Sequence, residues 1–224
     1  CQSNLLDAID SHARDARVLV AGSADEYGLV APNEVPITES QPLRPINPYA
    51  ISKIAQDMMA LQSYLGRGLA VVRVRPFNHT GPGQRPDFVA SAFARQVASA
   101  ELGLQPPVIR VGNLDARRDF SDVRDVVRAH WLAATRGQPG EVYNIASGSD
   151  VRISELLDRL RAMARCPVAV ETDPERMRPS DVPILRGDAT RLREATGWRP
   201  EIPLDKTLSD LLDYWRGQLA RRPS

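Results

Sequence analysis

Tyr49 and Lys53 stand four residues apart in Pro48-Tyr49-Ala50-Ile51-Ser52-Lys53, a spacing that sets a phenol and an ammonium on one face of a helix. A cation held beside a phenol favours its ionised form and draws its pKa from about 10 toward working pH. Tyr49 is therefore a candidate general acid/base for a hydroxyl or carbonyl substrate. With five tyrosines and two lysines in 224 residues, this spacing arises by chance only about 0.04 times per chain. The plain alternative is an exposed helix face carrying an accidental pair.

Two loops add polar groups. Gly22-Ser23-Ala24-Asp25-Glu26-Tyr27-Gly28 follows a short apolar run, and a hydroxyl there, Ser23, could bond the substrate oxygen that Tyr49 protonates. Ser23 and Asp25 could equally cap a turn or a short helix. Arg75-Pro76-Phe77-Asn78-His79-Thr80-Gly81-Pro82-Gly83-Gln84 also follows an apolar run and reads as a turn-rich loop. Gly81 and Gly83 do not make a dinucleotide loop, since Pro86 stands where a third glycine would be and no G-x-G-x-x-G occurs in the chain. Two basic segments, Gly112–Phe120 and Arg176–Val182, offer guanidinium forks suited to a diphosphate. In a chain with 27 arginines, solvated faces account for many of them.

The elements that must carry these groups can be read from periodicity. The continuous apolar run at 17–22 is expected as a strand buried on both faces, and Ala70-Val71-Val72-Arg73-Val74-Arg75, closed by Pro76, as another buried strand. Further strands are expected at 107–111, 142–146 and 168–171. Helical spacing covers 4–12, 48–65, 88–101, 122–136, 153–164, 188–196 and 205–217. Strands alternating with helices predict an α/β fold, a Rossmann-type doubly wound parallel sheet with a smaller C-terminal α/β lobe. In such sheets ligands bind at the carboxyl ends of the strands, where Ser23 and His79 fall. Residues 1–80, rejoined by about 119–147, are expected to form the dinucleotide-binding part. Residues 81–118 and 148–224 are expected to form the substrate lobe.

Composition sets outer limits. A net charge of +1 gives no reason to expect nucleic acid or a membrane as partner, and no apolar stretch approaches a membrane span. Two cysteines, Cys1 and Cys166, are too few for a disulfide framework and suit a reducing cytoplasm. No metal-binding cluster is expected.

Ser23, Tyr49 and Lys53 together resemble the active site of extended short-chain dehydrogenases/reductases, the NAD-dependent epimerase/dehydratase family. These use a serine or threonine after one strand and Tyr-x-x-x-Lys on the next helix. Phe77-Asn78-His79, Gly112-Asn113-Leu114-Asp115-Ala116-Arg117-Arg118-Asp119-Phe120 and Arg178-Pro179-Ser180-Asp181-Val182 resemble the GDP-mannose branch of that family. The resemblance spans the chain from the helix at 4–12 to Trp215. It implies NADP or NAD as cofactor, with Tyr49, Lys53 and His79 touching it. It implies a GDP-linked sugar as substrate, contacted by Asp25, Asn78, Arg118 and Arg178, and a homodimer as the assembly. The activity implied is reduction of the 4-keto group of a GDP-linked 4-keto-6-deoxy sugar, giving GDP-D-rhamnose. GDP-mannose 4,6-dehydration, nucleotide-sugar 4-epimerisation and a catalytically silent sugar-nucleotide-binding fragment are the alternatives.

Two features depart from the family pattern. Its glycine-rich fingerprint is absent, so the chain is expected to be a fragment with an unpaired edge on its central strands. The dehydratases carry a glutamate three residues before the glycine of the Tyr-Gly pair; here that position is Asp25, with Glu26 displaced by one. Trp198 is expected to pack rather than to act.

Overall fold

The computed structural model describes residues 2–177 and 182–221. Strands β1 (Val18–Ala21), β2 (Val71–Pro76) and β6 (Val142–Ile145) form a parallel sheet, with Val18 beside Val71 and Arg73 beside Val142. Helices α1 (Gln2–His12) and α2 (Pro48–Arg67) cover one face, burying Leu6, Val20, Ala60, Leu69 and Val71. On the other face lie α4 (Val123–Arg136) and α6 (Thr190–Thr196), where Val72, Val74, Val126, Ala129, Ile145, Leu192 and Trp198 close the core. This is the three-layered parallel α/β arrangement expected from the buried apolar runs. Among the described residues, β1 pairs only with β2.

A second layer of structure stands at the strands' carboxyl ends. There β3 (Asn78–Thr80), β5 (Arg117–Asp122), β7 (Asp150–Arg152) and β9 (Ile184–Leu185) form a small mixed sheet, and β4 (Val108–Val111) pairs with β8 (Ala169–Thr172). Helices α3 (Val89–Glu101), α5 (Ile153–Ala162) and α7 (Leu204–Ala220) pack around an apolar core that includes Phe93, Ile109, Phe120, Leu156, Leu208 and Trp215. The chain crosses back to the first sheet at α6 and Trp198. Trp198 is buried and donates Nε1–H to Asp125 O at 2.9 Å, so it packs as expected.

Two expectations need correction. Residues 78–80 are a strand rather than open loop, with Asn78, His79 and Thr80 in parallel register with Phe120, Ser121 and Asp122. Residues 117–122, which span the end of the basic segment Gly112–Phe120 and the start of the helix expected at 122–136, are the strand they pair with. Both are polar, and polarity hides a strand when the buried polar groups find their partners far along the chain. Asp119 is fully buried and accepts from Ser147 N, Gly148 N and Gly187 N. Asp122 caps α4 by accepting from Arg124 N and also receives Thr207 Oγ1–H.

Candidate active site

Helix α2 starts at Asn47, whose side chain accepts from Ala50 N at 2.8 Å, with Pro48 filling the first turn. Ala50, Asp57 and Ala60 mark its buried face, and Lys53 lies on it one turn from each of its neighbours. From there Lys53 Nζ donates to Ala21 O at the carboxyl end of β1 (3.0 Å) and stands 5.9 Å from the centroid of the Tyr49 ring. Tyr49 itself remains half open to a cavity of about 830 Å³.

That cavity is also lined by Ser23, Asp25, Asn78 and His79, so three separate sequence segments, those of Ser23, Tyr49 and Asn78, meet there. Ser23 does cap the short 3-10 helix Ala24–Tyr27, its Oγ accepting from Asp25 N at 3.2 Å, yet it also lines the cavity. His79 Nδ1 lies 3.0 Å from Phe77 O, a contact made with Nδ1 as donor, which leaves Nε2 for another partner. The turn after it is braced in series. Gln84 Nε2 donates to His79 O (2.8 Å), Ser91 Oγ donates to Gln84 O (2.8 Å), and Trp215 Nε1 donates to Ser91 Oγ (2.9 Å).

A second cavity of about 730 Å³ is lined by Asn78, Arg110, Asn113, Arg118 and Arg176 among others. Asn78 borders both cavities, and its Oδ1 is a buried acceptor with no hydrogen-bond partner among the described residues. Arg118 is half-buried and donates to Arg117 O at 2.8 Å. Its charge acts on Asp25. Desolvation raises the Asp25 carboxyl above the usual range and the Arg118 guanidinium opposes that shift. Arg178 lies outside the described residues.

Arg110 and Arg176 were not singled out as ligand groups, although Arg176 lies in a segment that was. The signal that could have found it is Gly112. A Cβ there would sit 2.1 Å from Arg176 O, so only glycine lets the turn at Pro174–Arg176 close against β4. Glu26, the displaced carboxylate, is not in the cavity. It is fully buried, with Oε1 accepting from Ser23 N (2.8 Å) and Oε2 from Arg75 Nε (3.0 Å).

With this geometry in place, comparison is informative. The profile of the GDP-mannose 4,6 dehydratase family matches residues 1–211. The chain belongs to that family. Among its relatives, the GDP-6-deoxy-D-mannose reductase of Pseudomonas aeruginosa is 39% identical over 216 residues, which is 96% of this chain and 71% of that protein. GDP-mannose 4,6 dehydratase 2 of Arabidopsis thaliana is 31% identical over 93% of this chain and 56% of its own length. The structure of RMD from Pseudomonas aeruginosa complexed with NADPH superposes with a TM-score of 0.93 at 39% identity, covering 97% of this chain and 72% of that one. The family thus includes both reductases and dehydratases, and the chain spans just over half the length of the plant dehydratase.

Proposed function

We propose that this protein reduces the 4-keto group of a GDP-linked 4-keto-6-deoxy sugar, using NADPH or NADH and yielding GDP-D-rhamnose. The observation that carries the reading is the convergence of Ser23 and Tyr49 on one cavity, with Lys53 beneath them, in a chain 39% identical to a GDP-6-deoxy-D-mannose reductase. The cavity's size and its Tyr49 and His79 borders fit the nicotinamide end of the cofactor. When bound, the reduced nicotinamide supplies the hydride. Ser23 Oγ orients the C4 oxygen by a hydrogen bond. Tyr49 gives that oxygen its proton, and Lys53 keeps a positive charge near the phenol as negative charge develops there. Asn78 Oδ1 offers an unsatisfied acceptor to a sugar hydroxyl between the two cavities, and Arg118 faces the diphosphate with a bidentate fork. Arg178 joins it on the strength of its sequence alone.

One observation favours a second reading. Asp25 brings a carboxylate of raised pKa to the cavity, which is what C5 proton abstraction in GDP-mannose 4,6-dehydration would use. The deciding experiment incubates the full-length protein with GDP-4-keto-6-deoxy-mannose and each reduced cofactor. Formation of GDP-D-rhamnose with matching cofactor oxidation is expected, and absence of any C4-reduced product would remove the reading.

The reading extends to the assembly and its location. A homodimer is supported by exposed Ile51, Met58 and Leu65, seven residues apart along the outer face of α2. A monomer by light scattering at micromolar concentration would count against it. Action in the cytoplasm accords with a chain that has only two thiols and, among its described residues, no helix able to cross a membrane.

A further inference from the structure

Beneath the candidate active site lies a buried ionic cluster that no step of the reaction described above uses. Arg75 sits in the middle of it, on β2, 3% exposed. Its Nε donates to Glu26 Oε2 (3.0 Å) and to Asp57 Oδ2 (2.8 Å), and its Nη2 donates again to Asp57 Oδ2 (2.6 Å). The other oxygen of each carboxylate is engaged elsewhere. Glu26 Oε1 holds the backbone N–H of Ser23 at 2.8 Å, and Asp57 Oδ1 accepts from Arg73 of the same strand. Arg75 Nη1 donates to Tyr27 OH (3.2 Å), and Tyr27 donates in turn to Asn144 Oδ1 on β6 (2.6 Å). Asp57 lies one turn beyond Lys53 and two beyond Tyr49 on the same face of α2.

We propose that Arg75 is a positioning residue: through Glu26 and Asp57 it fixes the Ser23 loop and the Tyr49–Lys53 helix in one mutual geometry. The proposal rests on the reading of Ser23 and Tyr49 given above. The Ser23 loop and α2 are tied below the cavity to a single planar cation, the loop through two hydrogen bonds in series (Arg75 to Glu26, Ser23 N–H to Glu26) and α2 through a pair from Arg75 to Asp57 Oδ2. Stability is a weak reason for such a cluster, because the desolvation of buried charges commonly offsets their attraction and apolar packing serves as well. Geometry is a better one. Hydrogen bonds to a rigid fork set distance and angle together, and misplacement of a reacting group by about 1 Å can cost about 10²-fold in rate. The loop is built to admit the carboxylate, since a Cβ at Gly22 would lie 2.2 Å from Glu26 Oε1.

The test is a double-mutant cycle in the full-length protein, read by oxidation of NADPH with GDP-4-keto-6-deoxy-mannose. Glu26→Gln keeps size and removes the carboxylate charge that faces Arg75. It is expected to lower kcat by about 10–100-fold while KM for sugar and cofactor stays within about threefold. In a Ser23→Ala background, where the hydroxyl being positioned is gone, the same substitution should cost less than about threefold more. Asp57→Asn is expected to lower kcat to a similar extent, with its loss shrinking in a Tyr49→Phe background, where the group it positions is gone, and it carries the test if Glu26→Gln does not fold. Losses that multiply in the double variants, or a raised KM with kcat kept, would overturn the proposal. Tyr49→Phe run alongside separates the two failures. If it stays active, the reading of the site falls and the positioning role with it; if it is inactive while the losses multiply, only the positioning role falls.

Discussion

The backbone N–H of Ser23 donates to Glu26 Oε1 at 2.8 Å, which draws the Glu26 carboxyl under the loop and out of the cavity. Burial pushes that carboxyl up to about 7, against the charge of Arg75 and with the help of Asp57. The fold therefore holds the Glu26 proton more tightly than an unfolded chain does. The stabilisation this provides is complete below the ordinary value near 4.5 and is lost as pH rises through about 7. Glu26→Gln abolishes the titration. The melting temperature of the parent minus that of the variant should fall between pH 5 and pH 8. A difference that stays flat across this range would contradict the assigned shift.

Asp119 invites a different substitution. Its oxygens accept from Ser147 N (2.8 Å), Ser147 Oγ (2.6 Å), Gly148 N (3.0 Å) and Gly187 N (3.3 Å). In Asp119→Asn the amide group must face two of these donors whichever way it turns. A buried donor left without its acceptor costs about 1–3 kcal/mol. Urea denaturation should show a loss of at least about 2 kcal/mol. An unchanged midpoint would mean the turns at 147 and 187 do not depend on this carboxylate.

Tyr49→Phe removes only the phenolic oxygen. The ring stays on α2, half exposed at the cavity mouth, and Lys53 keeps its bond to Ala21 O. Turnover in the full-length protein should fall on the order of 10²–10⁴-fold, the usual range for losing a general acid, with cofactor affinity changed only a few-fold. Near-normal steady-state reduction would exclude Tyr49 as the proton donor.

How much of this could be read in the sequence depended on what each segment buries. The segments at 17–22 and 70–75 read as strands because their valines and leucines pack against helices on the two faces of the sheet, while Arg73 and Arg75 interrupt the second run, and their helices follow at the expected spacing. Tyr49 and Lys53 were legible because the helix period fixes their relation before any tertiary contact forms. The strands β3 and β5 were not, because Asp119 and Asp122 are buried polar residues with partners far along the chain, at Ser147, Gly187 and Thr207. The role of Arg75 was hidden for the same reason. Arg75 and Asp57 are 18 residues apart, and only the fold of α2 onto β2 brings them together.

The last prediction separates reduction from dehydration, and it turns on Asp25. Glu26 is excluded as the proton-abstracting base by its position, since both its oxygens are occupied and the residue is fully buried. Asp25 is the carboxylate that borders the cavity beside Ser23, and burial raises its pKa while Arg118 restrains the rise. Its side chain is one methylene shorter than the glutamate found at this position in dehydratases. A base must come within roughly 2.6–3.2 Å of the proton's carrier, directly or through one water, and a shortfall near 1 Å can cost about 10²-fold. The full-length protein given GDP-mannose should therefore form no 4-keto-6-deoxy product. Given the keto sugar, it should oxidise reduced nicotinamide mole for mole. A dehydratase returns its hydride within each turnover and shows no net oxidation. Absorbance at the reduced-nicotinamide band with each substrate in turn, alongside product analysis, distinguishes the two. The Asp25→Glu variant sharpens the test: if reach is what is lacking, restoring the methylene should bring measurable dehydration of GDP-mannose. Efficient conversion of GDP-mannose by the unaltered protein, without cofactor consumption, would make dehydration its activity.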